Sequence, residues 1–258
     1  MSVQHIKELY NYRNLIWILA WVDFKQRYKN SILGYFWSLL EPLLMLSILY
    51  VVFSNLMKMQ VEYYPLFLLQ GIIMWSFFTR TTTGSLLSIV IKPNLVKKVY
   101  FPRDILVISS CTTALLMSIF ESVVFILFMI IFRIPLSIYI IFIPVIILIF
   151  FFMSLGISLA LAALHVYYRD LRYIWALVLQ VGFFATPIVY PIYALPPALW
   201  VLTYNPIAQI IYLARDVTLY SKPPNLASLS YVIIVAFFAI CIGYWIFMRR
   251  APKFAEDL

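Results

Sequence analysis

Three charged side chains, Glu41, Arg80 and Glu121, lie inside long apolar stretches of this sequence. An unpaired charge at the centre of a bilayer costs at least about 2.5 kcal/mol, so each of them requires a partner or water. Pairing inside a helix bundle is the structural interpretation, and lining a hydrated pore is the functional one. Arg80 can reach either carboxylate, and the sequence does not choose between them. Counted along helices from their inner ends, Glu41, Arg80 and Glu121 are expected about 8, 16 and 25 Å deep.

Catalytic motifs are absent from the sequence. It contains no G-x-x-x-x-G-K-[ST], which excludes ATP binding by a P-loop of its own. Neither H-E-x-x-H nor G-x-S-x-G occurs, and the two histidines, His5 and His165, are too few for a metal site or a histidine-based triad. We therefore expect no catalytic residue, no metal ligand and no bound cofactor, and predict that the chain is not an enzyme.

Composition indicates a membrane protein. The chain has 258 residues, of which 65% are hydrophobic and 11% charged, and its mean hydropathy is +0.98. A helix needs about 20 apolar residues to cross a bilayer. The sequence predicts a single all-α transmembrane domain, residues 1–258, with six spans: 36–57, 66–91, 104–132, 137–164, 173–190 and 229–248.

The basic residues fall on alternate sides of these spans. If the N-terminus is cytoplasmic, fourteen of the 19 Lys and Arg residues lie inside, four outside and Arg80 within a span. The positive-inside rule then predicts that both termini are cytoplasmic. The same rule explains the net charge of +9 without a nucleic-acid partner, because the charges are spread over loop ends and form no basic face.

Residues 15–22 are apolar but too short to cross the membrane. Arg13 precedes them, and Asp23 and Lys25 follow. We predict an amphipathic interface helix within residues 1–34, with Trp17 and Trp21 at headgroup depth. Partial burial of this helix against the spans remains an alternative.

Half of the 14 prolines lie between residues 187 and 224. Proline removes a backbone donor, and unpaired backbone cannot face lipid. The apolar pieces between these prolines are too short to span. We therefore predict short re-entrant helices on the outer side, in an outer gate segment at 191–228, with an ordinary extracellular loop as the alternative.

Several local patterns occur in a defined order. Residues 27–42 read Arg-Tyr-Lys-Asn-Ser-Ile-Leu-Gly-Tyr-Phe-Trp-Ser-Leu-Leu-Glu-Pro, and 94–104 read Asn-Leu-Val-Lys-Lys-Val-Tyr-Phe-Pro-Arg-Asp. Tyr-Arg-Asp at 168–170, Thr186-Pro187-Ile188 and Asn205-Pro206 follow. Together with the six spans, these patterns resemble the membrane subunit of polysaccharide-exporting ABC transporters, the Wzm-type permeases of O-antigen, capsule and teichoic acid export. The family often has glutamine where this chain has Glu41.

The resemblance implies a type-2 ABC exporter fold. It implies a homodimer held by two copies of a separate ATPase subunit, which would bind ATP and Mg. Residues 92–103 would form the cytoplasmic coupling loop, and a second contact would follow the fourth span. The implied coupling residues are Lys97, Lys98, Tyr100, Phe101, Pro102, Arg103, Tyr168, Arg169 and Asp170.

The implied cargo is an undecaprenyl-pyrophosphate-linked polysaccharide, O-antigen in the first instance, exported across the bacterial inner membrane. Aromatic rings suit the apolar faces of sugars, and basic residues near headgroups suit the pyrophosphate. The expected residues for substrate access and the channel are Arg27, Lys29, Tyr35, Phe36, Trp37, Glu41, Arg80, Tyr190, Tyr193 and Trp200. An ABC exporter for drugs or small lipophiles, and a carrier that needs no ATPase, remain alternatives.

Overall fold

The computed structural model describes residues 3–29, 31–56, 61–98, 101–192 and 196–254. Every regular element in those ranges is helical. The α-helices, in chain order, are α1 (Val3–Asn11), α2 (Arg13–Tyr28), α3 (Phe36–Tyr50), α4 (Tyr64–Ser88), α5 (Pro93–Lys98), α6 (Asp104–Ile131), α7 (Ile143–Tyr167), α8 (Leu171–Ala185), α9 (Pro206–Thr218) and α10 (Leu226–Arg250). A π-helical turn, Val51–Leu56, extends α3, and 3₁₀ turns occupy Ile138–Phe142, Pro197–Tyr204 and Ala251–Lys253.

Asparagine and proline set several helix boundaries. The Asn205 side chain accepts a hydrogen bond from the Ile207 backbone N–H at 3.0 Å, and Pro206 takes the first helical position of α9. Asn225 caps α10 in the same way, through the Ala227 N–H at 2.9 Å. Pro187 has the opposite effect, because proline restricts the residue before it to extended backbone. Thr186 is extended, and α8 ends at Ala185.

The six predicted spans correspond to helices, but two of them differ from the prediction. Four helical segments are long and apolar enough to cross a membrane, namely Phe36–Ser54, Asp104–Ile131, Ile138–Tyr167 and Leu226–Lys253. The fifth prediction, 173–190, is wrong at its end because Thr186-Pro187 stops the helix. With 15 residues, α8 is about 22 Å long, shorter than the roughly 30 Å of a hydrocarbon core.

Helix α4 is long enough to span but contains many polar residues. Gln70, Ser76 and the run from Thr79 to Thr83, which includes Arg80, lower its hydropathy. Most of the helix is nevertheless buried, because it packs against α3, α6, α7, α8 and α9. A helix that its neighbours shield from lipid does not need an apolar surface. This central position explains why α4 is less hydrophobic than the four helices that are apolar enough to cross a membrane.

Two glycines let α7 and α10 pack with their backbones in contact. A Cβ on Gly156 would meet the backbone of Ala239 and Ile240, and a Cβ on Gly243 would meet the backbone of Gly156. Small residues permit this close approach between membrane helices. The pair forms the most extensive contact between helices in the described part of the chain.

The N-terminal helix α2 is partly buried against the bundle. Ala20 and Phe24 are buried, and the Thr113 hydroxyl of α6 donates to the Ala20 carbonyl oxygen at 3.2 Å. Trp17 and Trp21, in contrast, are exposed. An ion pair between Asp23 and Lys92, 2.6 Å between Oδ2 and Nζ, ties α2 to the segment after α4. The alternative of partial burial is therefore correct for one face of α2.

The glycine contact predicts a strict size limit at position 243. Gly243→Val places a branched side chain against the Gly156 backbone, and overpacking of this kind costs about 1–3 kcal/mol or more. We expect a lower yield of monodisperse protein and a lower melting temperature in detergent. Cys241→Val changes an exposed position on the same helix and is the matched control. Equal behaviour of the two variants would contradict the tight crossing.

Candidate transport site

An open groove of about 900 Å³ lies between α3, α4 and α8. Its walls include Trp37 and Glu41 from α3, Trp75 and Arg80 from α4, and Phe183 from α8. Arg27, near the end of α2, lines it as well. The groove therefore gathers four of the predicted channel residues, Arg27, Trp37, Glu41 and Arg80. Aromatic rings and charged groups together line a space large enough for a small ligand or a segment of a polymer.

Arg80 pairs with both carboxylates between which the sequence could not choose. Its Nη2 lies 3.0 Å from Glu41 Oε2, and its Nη1 donates to Glu121 Oε1. The environments of the two partners differ, since the Glu41 side chain is 63% exposed and that of Glu121 is fully buried. Arg80 thus neutralises a carboxylate in the protein interior and also holds one that faces the groove. The three charges therefore pair within the helix bundle, and the lining of a hydrated pore stays a prediction.

The shared ion pairs indicate how α4 and α6 are offset along their axes. Arg80 is eight residues from the end of α4, and Glu121 is seventeen residues from the start of α6. If the two residues lie at the same level, α6 begins about 13 Å beyond the end of α4. The predicted depths assumed that the helices start at one level, and they stay predictions. With 28 residues, α6 is about 42 Å long, longer than the roughly 30 Å of a hydrocarbon core.

The polar face of α4 was not among the predicted site residues. Ser76, Thr79, Thr83 and Gly84 line the groove together with Arg80. Their spacing of three and four residues puts them on one side of the helix. That helical periodicity was a signal in the sequence. It would have identified the groove-facing side of α4 before the structure was known.

A smaller pocket of about 370 Å³ adjoins the C-terminal part of α2. Lys25, Lys29 and Tyr35 line it, so two further predicted residues lie together. Stacked rings lead along α2 toward this pocket. The centroids of Trp21 and Phe24 are 5.6 Å apart, and those of Phe24 and Tyr35 are 5.5 Å apart. This end of α2 thus presents positive charge beside an aromatic surface.

Three more of the predicted channel residues, Phe36, Tyr190 and Trp200, do not line the groove. Phe36 is exposed on α3 and is not part of either pocket wall. The Tyr190 hydroxyl donates to the Phe184 carbonyl oxygen at 2.7 Å, which supports the end of α8. Trp200 is exposed in the 3₁₀ turn before α9, and Tyr193 lies outside the described residues.

Arg215 organises the proline-rich segment and was not predicted to have this role. The sequence counted it as a basic residue of an outside segment, yet its side chain is fully buried. Its guanidinium donates to the carbonyl oxygens of Pro187 at 3.0 Å and of Phe67 and Ile188, both at 2.8 Å. The Phe67 ring centroid lies 3.4 Å from its Cζ. Arg215 thereby joins α9, α4 and the non-helical backbone that follows α8.

The two predicted coupling segments meet near the C-terminal turn of the chain. Arg103 donates to the Ala251 carbonyl oxygen, and Tyr167, directly before Tyr168, donates its hydroxyl proton to the Arg250 carbonyl oxygen at 3.2 Å. Phe254 is buried against Tyr167 and Phe247. The end of α10 therefore connects both loops.

These segments differ in what they expose. Lys97 on α5 and the Tyr168–Asp170 loop are exposed, and Lys98 is the last residue of α5. Phe101 is buried, and Pro102 and Arg103 are partly buried. Phe101 and Arg103 accordingly hold the loop in place, whereas Lys97 faces outward. Tyr100 lies outside the described residues, and a partner contact at any of these positions stays a prediction.

Comparison with known proteins decides the family. Residues 14–219, from α2 to the end of α9, match the ABC-2 type transporter family. The chain belongs to that family. An O-antigen export system permease protein, RfbA, of Klebsiella pneumoniae is 31% identical over 247 residues, 95% of either chain. RfbA of Myxococcus xanthus is 27% identical over 99% of this chain and 100% of its own length. The polysialic acid transport protein KpsM of Escherichia coli is 24% identical, over 88% of this chain and 90% of its own.

The family match encloses both features that organise the site. The Arg80 ion pairs and the Arg215 cluster lie within residues 14–219, and α10 lies outside the match. The relatives extend over α10 as well, since they cover nearly all of this chain. The groove, its charges and the hydrogen bonds from Arg215 to Phe67, Pro187 and Ile188 (the Pro187 clamp) are thus parts of an ABC-2 type transporter protein.

The unequal burial of its partners predicts unequal effects around Arg80. Arg80→Gln leaves the Glu121 carboxylate buried without its cation, which costs about 3–5 kcal/mol. Glu41→Gln removes an exposed partner and should cost at most about 1 kcal/mol. Thermal unfolding in detergent measures both effects. The double variant Arg80→Gln/Glu121→Gln should recover part of the loss, and a larger loss for Glu41→Gln than for Arg80→Gln would refute this assignment.

Arg215→Met should destabilise the end of the protein that carries Pro187 and α9. It removes three hydrogen bonds to backbone carbonyl oxygens, and hydrogen bonds to charged groups contribute about 1.5–3 kcal/mol each. We expect the melting temperature to fall by about 8 °C or more. Arg215→Lys keeps the charge but loses the planar fork, so it should be intermediate. Arg249→Met, at an exposed site on α10, is the control. If Arg215→Met and that control have the same melting temperature, the hydrogen bonds of Arg215 do not stabilise the protein and this assignment is wrong.

Proposed function

We propose that this chain is the membrane subunit of an ATP-driven exporter of lipid-linked polysaccharide, with O-antigen as its first candidate cargo. The observation that carries the proposal is the end-to-end similarity to O-antigen export system permease proteins. KpsM, named for polysialic acid transport, is also similar. The relatives named here share polysaccharide export and differ in the polymer, which favours a polysaccharide over a drug or a small lipophile.

The groove supplies a pathway for such a polymer. Trp37, Trp75 and Phe183 offer ring faces for sugar C–H groups, and Glu41 with Arg80 offers hydrogen-bonding partners for hydroxyls. In our proposal the open side of the groove is closed by a second copy of the chain. Helix α8 supports this arrangement, because among its side chains only Leu179 is buried although the helix is apolar. A second copy would cover apolar residues such as Leu177 and Val181.

In this proposal the cargo enters at the inner end of the groove. Arg27 lines the groove and Lys29 the adjoining pocket, so two cations stand where an undecaprenyl pyrophosphate headgroup would arrive. Positive residues at headgroup level attract such anions. The outer gate segment, 191–228, would form the exit. Arg215 would keep the non-helical backbone at Pro187 and Ile188, directly before this segment, in one shape while polymer passes.

The energy would come from a partner ATPase, present in two copies, that binds ATP and Mg. We place this partner at the end of the bundle where Lys97 and the Tyr168–Asp170 loop are exposed. The C-terminal turn contacts both loops there, so a displacement of one loop would also displace the other. The assembly would lie in the bacterial inner membrane with both termini in the cytoplasm, as the charge distribution predicts.

Charge reversal at Lys97 tests this proposal. In cells that lack the chain, the wild-type gene should restore surface polysaccharide and Lys97→Glu should not. The same variant should retain at least about tenfold less ATPase subunit on co-purification. In the proposal Lys97 faces acidic groups of the partner, and a glutamate at this position would be repelled by them. Arg249→Glu makes the same change of charge at the same end of the protein and should behave like the wild type.

The readouts separate the parts of the proposal. Intact ATPase association with lost export in Lys97→Glu would remove α5 from the coupling contact. Unchanged surface polysaccharide in cells without the chain would refute the cargo class. Chain abundance in membranes, measured in parallel, identifies a variant that fails simply because it does not accumulate.

A further inference from the structure

A second large cavity lies on the opposite side of α4 from the groove. This crevice has a volume of about 620 Å³, within the roughly 300–1,000 Å³ of ordinary ligand pockets. Four helices, α4, α6, α7 and α9, and the α6–α7 connection form its walls. On α4 its residues are Gln70, Ile73, Met74 and Phe77, which alternate by helical periodicity with the groove-facing positions. The function proposed above does not use this crevice.

The walls of the crevice favour hydrocarbon. They consist mainly of isoleucine, leucine, methionine and phenylalanine side chains. Its polar residues largely bond within the protein, since Thr218 Oγ1 donates to Gln70 Oε1 at 3.0 Å and Ser122 Oγ donates to the Ser118 carbonyl oxygen at 2.8 Å. Such a surface offers little to a sugar and much to an acyl chain.

The crevice is also long enough for a lipid tail. It follows α6 from Leu115 to Arg133, a distance of about 27 Å along the helix axis. One leaflet of the hydrocarbon core is about 15 Å thick, so an acyl chain can lie along this wall. Ile126 and Ile130, which line the crevice, are exposed at the protein surface and would contact membrane lipid directly.

Arg133 stands at the mouth of the crevice in an unusual backbone conformation. It follows α6 with a φ of 53°, a left-handed position that glycine normally occupies at a helix C-terminus. The Ile134 N–H closes this turn on the Met129 carbonyl oxygen at 3.0 Å. The Arg133 side chain is exposed. Across ranges 3–29, 31–56, 61–98, 101–192 and 196–254, no hydrogen bond or ion pair of its guanidinium occurs.

We propose that one acyl chain of an anionic glycerophospholipid occupies this crevice, with its phosphate bound by Arg133. Charge complementarity identifies the ligand, because a guanidinium with no partner among the described residues stands at the end of an apolar slot. The bound tail fills the space between α6, α7 and α9. Since Ala214 and Thr218 line the crevice on either side of Arg215, the lipid supports the helix that carries the Pro187 clamp.

Photocrosslinking of the full-length chain in phosphatidylethanolamine vesicles tests the site. The probes are phosphatidylglycerol and phosphatidylcholine with the same diazirine-bearing acyl chain, and peptide mass spectrometry locates the labels. We expect phosphatidylglycerol to label the crevice walls on α6 and α7 above the rest of the lipid-facing surface. Arg133→Gln should reduce that labelling about fivefold and leave phosphatidylcholine labelling unchanged.

A filled crevice provides the second variant. Ile126→Trp places a ring in the slot and should lower phosphatidylglycerol labelling there at least about tenfold, since several buried methylenes lose their site. Ile233→Trp makes the same change at an exposed position on α10, outside the crevice, and should have no effect. Size-exclusion profiles check that both variants fold. If Ile126→Trp does not fold, Arg133→Gln still tests the proposal.

Other outcomes would overturn the proposal. Equal labelling by the two probes in the wild type would show that Arg133 selects no headgroup and only compensates the α6 C-terminus. Labelling that is uniform over the lipid-facing surface would show that there is no site. Loss of crevice labelling on addition of undecaprenyl phosphate, but not of unlabelled phosphatidylglycerol, would assign the slot to a polyprenyl chain instead.

Discussion

Backbone polar groups cannot stay unpaired in a bilayer, and this constraint governs how the chain is built. Long helices satisfy it within themselves, so they form most of the structure. The exception is the backbone after α8, where Pro187 prevents a helix from continuing. There a single buried guanidinium, that of Arg215, takes over the carbonyl oxygens of Pro187 and Ile188. The irregular segment is possible in a membrane because this side chain replaces the missing helical donors.

The same constraint explains the composition of α4. Its polar residues are tolerated because five other helices pack around it, and these polar residues line a groove on one of its faces. Arg80 then balances a buried and an exposed carboxylate from two different helices, α6 and α3. Apolar helices at the periphery and a polar helix at the centre are thus complementary parts of one arrangement. The central helix can carry polar residues because the helices around it, not α4 itself, provide the apolar surface that faces lipid.

Sequence patterns predicted the features that depend on local chemistry. Apolar length located the helices, and proline marked the irregular segment after α8. The choice of carboxylate by Arg80 was not predictable, because it depends on how far α6 is displaced along α4, and that offset has no local signal. Arg215 was counted only as a basic residue outside, since its carbonyl partners are remote in sequence at Phe67 and Pro187. The polar face of α4 was predictable from its periodicity but was overlooked. The position of α2 against α6 required the three-dimensional packing of Phe24.

The glycine crossing of α7 and α10 has a mechanical consequence. Helices whose backbones touch at Gly156 and Gly243 have no side-chain layer between them that could slide or repack. The two helices therefore resist sliding past one another at this crossing. Helices α3 and α8 contact the bundle less extensively. The groove is thus bordered by two loosely packed helices and by α4, which packs closely against its neighbours.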